Sequence, residues 1–189
     1  MRQHLGACAI AACVLAACTG AQPAAEPARD NTAEVATATA SPGPTGTCAP
    51  VETPALQGGS HLLRDQPPPV PYGSTPPTSG WHASGAFSID VRGPSEALSE
   101  PQQVSVLEAG GVVATYRDLS EDDRGALEET ATMAYPGRVA VTPYDRLEPG
   151  EVAFTAWGAL QRCDGLDLDA LAVFVTTYAD EEPTAPGEH

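Results

Sequence analysis

The sequence predicts an α+β domain in which a small, mainly antiparallel sheet carries two helices packed on one face. Three observations lead there. From Gly110 onward the chain reads strand, helix, strand, strand, helix, an order that places helices beside a sheet. Each expected helix opens on acidic residues and then repeats apolar residues at helical spacing. The first 47 residues contribute nothing to a core: 17 suit an export signal and the rest are small or polar.

The elements follow in chain order. Arg2 precedes an apolar run from Leu5 to Ala17, too short to cross a bilayer but right for the apolar part of a secretory signal. Its end, Leu15-Ala16-Ala17-Cys18, resembles the bacterial lipoprotein box, whose Cys accepts a diacylglycerol group. Cys8 and Cys13 follow similar triplets, but cleavage before either leaves too little apolar chain. Cys18 is therefore the expected lipidation site, with residues 1–17 as signal peptide; an ordinary signal or an uncleaved anchor is the alternative. Residues 18–47 read as the lipidated Cys and a disordered tether rich in Ala, Thr and Pro. The expected location is the extracytoplasmic face of the cell membrane, with the membrane itself as partner.

The single domain is expected over residues 48–183, with 184–189 as a tail. Cys48 and Cys163 are the two cysteines left after cleavage and lipidation. In an exported chain they point to one disulfide; free thiols or a two-Cys metal site are the alternatives, without supporting spacing. Pro67-Pro68-Pro69-Val70-Pro71-Tyr72 favours an extended polyproline path. Val104–Leu107 and Gly110–Tyr116 read as strands. Ser120 caps a helix from Glu121 to about Ala134, with Leu127, Ala131 and Ala134 on one face. Arg138–Pro143 and Val152–Leu160 are two more strands, the second after a turn at Leu147-Glu148-Pro149-Gly150. Acids from Asp164 to Asp169 open a second helix that buries Leu168, Leu171, Val175 and Tyr178. Those acids lack the order of a calcium loop and suit a helix start.

Charge excludes one class of partner. The net charge is −16, all nine basic residues are Arg and none clusters, so the chain cannot neutralise a phosphate backbone and no nucleic-acid partner is expected. GxSxG, HExxH, P-loop and paired redox cysteines are all missing from the sequence.

The stretch Pro76–His82, PPTSGWH, followed by SVLEAGGVVATY from Ser105, resembles a bacterial and archaeal family known as domain of unknown function 3105. Its members carry PPTSGPH and then HSLEHGxV, with a His upstream and a TAW-like segment later. Thr155-Ala156-Trp157 fits that segment, and the likeness runs from about His61 to Pro183. The resemblance implies a histidine cluster around a Glu, which is metal-ligand chemistry. Here His61, His82 and Glu108 keep their places, whereas Ser105 and Ala109 stand where the family has histidines and Trp81 where it has Pro. His189 lies beyond a Pro-containing tail and is not expected to join. The preferred expectation is a non-catalytic binding or interaction module with a degenerate metal site and no cofactor. In that reading the histidines make loop hydrogen bonds, and Glu108 pairs with an Arg or caps backbone. The alternative is a copper- or zinc-binding protein, or a metalloenzyme, using His61, His82 and Glu108. The protein or small-ligand partner is not named by the sequence.

Overall fold

The structure is a computed structural model, and it describes residues 46–63, 66–85 and 87–180. The signal, Cys18, the tether to residue 45 and the 184–189 tail lie outside the described residues.

The chain enters through β1 (Thr47–Cys48), β2 (His61–Leu62) and β3 (His82–Ala83), then forms α1 (Glu100–Glu108), β4 (Val112–Tyr116) and α2 (Glu121–Met133). It ends in β5 (Val139–Pro143), β6 (Glu151–Ala156), β7 (Ala159–Asp164) and α3 (Leu168–Tyr178). A five-stranded sheet has the order β1-β7-β6-β4-β5, and β2 and β3 form a separate pair. β1–β7, β7–β6 and β6–β4 are antiparallel, but β4–β5 is parallel. The sheet is therefore mixed, because α2 returns the chain to start β5 in the direction of β4.

Ser120 Oγ accepts the Asp123 N–H at 3.1 Å, fixing α2 where the capping signature places it. Asp167 caps α3 in the same manner, its carboxylate accepting the Ala170 N–H at 2.9 Å. The Glu148–Glu151 turn closes with a 3.0 Å bond, and Gly150 sits at φ 85° in its third position, a backbone conformation that glycine adopts without strain.

Two strand expectations need correction. Val104–Leu107 lies inside α1, not in a strand. Ser99 begins that helix, its N–H donating to Gln102 Oε1 at 2.9 Å, and Pro101 suits a first turn that needs no N–H. Val152–Leu160 is not one strand either: it breaks at Trp157-Gly158 into the β6–β7 hairpin, with Ala156 opposite Ala159 and Gly158 at φ 72°.

The helices do not all pack on one face. Val112, Ala114 and Tyr116 of β4 join Leu127 and Ala131 of α2 and Leu171, Phe174 and Val175 of α3 in the larger core. Val113 of β4 and Ala140 of β5 point the other way, against Val106 and Leu107 of α1. Because successive side chains alternate faces, a strand covered on both sides is buried throughout, and β4 is.

Cys48 and Cys163 stand directly opposite each other in β1 and β7 and form the disulfide. The leading segment is further tied by Glu52 and Leu160, which exchange backbone bonds of 2.7 and 3.0 Å. This segment carries His61 towards α1.

Candidate metal centre

Three elements each deliver one donor. β2 and β3 pair in parallel with His61 opposite His82, so the two histidines are cross-strand neighbours despite their separation in sequence. Their rings stand edge to face, with centroids 4.5 Å apart. Glu108 ends α1, which packs on β3: Ser105, one turn earlier, donates its hydroxyl to the Ala83 carbonyl at 2.9 Å. One ligand atom from each of His61, His82 and Glu108 lies within 4.8 Å of the others.

The PPTSGWH stretch is the mould for His82. Residues 76–80 are all buried. The Thr78 carbonyl accepts from Gly158 N–H at 3.0 Å and Ser79 Oγ accepts from Gln57 N–H at 2.9 Å. Tyr72 donates its hydroxyl to the Trp81 carbonyl at 2.5 Å, and burial, then the Glu100 carboxylate, pushes that phenol well above its ordinary value. Gly80 adopts φ 115°, and a Cβ on Gly59 would stand 2.2 Å from the Gly80 carbonyl carbon. Only glycine lets the two backbones approach this closely.

This turn also selects the tautomer. His82 is 4 % exposed, and its Nδ1 lies 3.0 Å from the Gly80 carbonyl oxygen. A carbonyl can only accept, so Nδ1 carries the proton and Nε2 is the nitrogen with a lone pair to offer. Nε2 lies 3.1 Å from Glu108 Oε2, though not aligned as a hydrogen bond. In a neutral ring this sets a lone pair beside a carboxylate oxygen, an arrangement that a shared cation stabilises. A second proton on the ring is the other way to stabilise it. His61 is exposed and Glu108 half-buried, so the centre opens to solvent on the β2 side.

The loop hydrogen bond expected of His82 is present, and it leaves Nε2 beside Glu108. Ser105 faces β3 from the inward side of α1, whereas Ala109 is exposed at the helix end. Cys48 and Cys163 are joined to each other and supply no ligand. Sequence reasoning missed Gly59 as a support of the site; Gly80, the glycine of the TSG turn, was the visible signal.

Fold and site together define a two-face α+β domain with a two-histidine, one-carboxylate cluster at the mouth of a buried proline-glycine turn. The chain belongs to the family described as Protein of unknown function (DUF3105), whose model matches residues 64–189. His61 and Cys48 precede the matched region. No curated protein and no solved structure matches the chain.

Proposed function

We propose that this chain is a non-catalytic metal-binding module of the cell envelope, anchored through lipid on Cys18, that holds one copper or zinc ion between His61, His82 and Glu108. The observation that supports it is the convergence of three donors from three elements within 4.8 Å. Two imidazoles and one carboxylate suit a divalent first-row ion; calcium and magnesium prefer oxygen alone. The Gly80 carbonyl supplies the outer hydrogen bond that metal-bound histidines commonly make. Three protein ligands leave a position open.

The test is metal content and zinc affinity of the purified chain without a His-rich tag. One equivalent of zinc or copper is expected, with affinity falling at least about 100-fold in His82→Ala, since even outer-shell losses reach that size. A wild-type chain that takes up neither ion when both are supplied would overturn the proposal and leave the interaction-module reading.

A further inference from the structure

We infer, resting on the metal-binding reading above, that Gln57 is a positioning residue of this centre: its side-chain amide locks the segment that carries His61 onto the turn that carries His82. Gln57 stands four residues before His61. Its backbone N–H donates to Ser79 Oγ at 2.9 Å. Its Nε2 donates to the Pro71 carbonyl at 3.0 Å, and its Oε1 accepts the Gly73 N–H at 3.1 Å. A primary amide presents a donor and an acceptor side by side, as a backbone peptide does, so this side chain grips residues 71–73 from both ends. Two routes lead from there to His82. Tyr72, between the gripped residues, donates its hydroxyl to the carbonyl of Trp81, the residue before His82, at 2.5 Å. Gly80, whose carbonyl oxygen faces His82 Nδ1, lies against the same amide: a Cβ on Gly80 would stand 3.1 Å from Gln57 Oε1.

The centre needs such a fastening because β2 and β3 do not supply it alone. They share two residue pairs, His61 with His82 and Leu62 with Ala83. The His82 N–H reaches the Ser60 carbonyl only at 3.4 Å. Even a longer isolated strand pair is marginal in water, so the register that sets the imidazoles side by side is imposed from outside the pair. Gly59 gives room for the approach, and Gln57 holds it. When the grip is lost, fewer chains have both imidazoles in place, and the apparent affinity falls by the same factor.

The experiment uses the full chain without a His-rich tag, with zinc as the probe and affinity read by competition with a chromophoric chelator. Gln161→Ala is the comparison variant, since Gln161 Nε2 fastens the same leading segment at the Ala49 carbonyl, at 3.1 Å. Gln161→Ala should bind as the wild type does. Gln57→Ala should bind roughly tenfold more weakly, as when about a tenth of chains keep the paired arrangement. In a His61→Ala background the same substitution should cost nothing further, because no second imidazole is left to place. Gln57→Glu keeps the acceptor for the Gly73 N–H and should fall between; it takes the place of Gln57→Ala if circular dichroism shows that variant unfolded. Wild-type affinity in the folded variant overturns the positioning role and leaves the three-residue centre standing. Equal weakening in Gln161→Ala, or an equal loss with and without His61, means that Gln57 supports the fold and not the pairing, which also overturns it. A wild type that binds no zinc removes the centre itself.

Discussion

At Gly59 a side chain has no room and at Gly80 φ 115° disfavours one, and the geometry of the proposed metal centre depends on both. The backbone of Gly59 lies against Gly80 and Trp81, immediately before the residues that pair as His61 and His82. A methyl group at position 59 must push the two strands apart or unseat the turn. Overpacking of this kind costs about 1–3 kcal/mol. Gly59→Ala is therefore expected to lower the unfolding free energy from urea titration by that amount and to weaken zinc binding, because the histidines separate while both remain present. Unchanged affinity in a destabilised Gly59→Ala would show that the centre does not need this register. The same detail explains what the sequence could disclose. His61, His82 and Glu108 stood out by residue type and by resemblance. Their convergence did not, because it depends on two parallel strands of two residues each, which carry no periodicity.

Among the elements, α1 shows why one pattern was misread. Val104, Val106 and Leu107 are apolar, and residues 103–107 are all buried, so no polar face marks the helical period. The readable signal lay upstream, in Ser99-Glu100-Pro101-Gln102, whose Ser and Gln have capping-box spacing. α2 and α3 were legible because one face of each meets water. Glu100 holds the start of α1 by accepting from the Tyr144 hydroxyl and from Arg146. Burial, then the Glu100 carboxylate, raises the Tyr144 phenol above its ordinary value; burial likewise raises Tyr72 and Tyr116. The folded chain thus keeps protons that the unfolded chain releases near pH 10. This contribution is fully present below about pH 10 and is lost as pH rises through the folded values. The urea midpoint should accordingly fall above pH 10, and less steeply in Tyr144→Phe. Tyrosinate absorbance of the folded chain should lag that of the unfolded chain. If all five tyrosines titrate together near pH 10 while the protein stays folded, this account of Tyr72, Tyr116 and Tyr144 is wrong.

For the whole molecule, the proposed envelope location raises the question of what would keep an acidic domain at a membrane. A net charge of −16 without Lys is repelled by anionic leaflets, where a basic segment would be drawn in. No helix among the described residues is long and apolar enough to cross a membrane. The anchor proposed for this chain is diacylglycerol on Cys18, at the end of Leu15-Ala16-Ala17. Each buried CH₂ contributes about 0.8 kcal/mol, so one acyl chain holds marginally and two hold stably against that repulsion. The disulfide fits the proposed exported setting, since a Cys48–Cys163 bond persists outside the reducing cytosol. Wild-type protein is therefore expected in the membrane fraction, resistant to high salt and released by detergent, because acyl chains are insensitive to ionic screening. Cys18→Ser should leave the chain unprocessed or shed into the medium, and mass spectrometry of the wild-type N-terminus should find lipid on Cys18. A wild type recovered wholly soluble outside the cell, with a mature N-terminus other than Cys18, would reject the anchor and leave the folded domain free to act at a distance from the membrane.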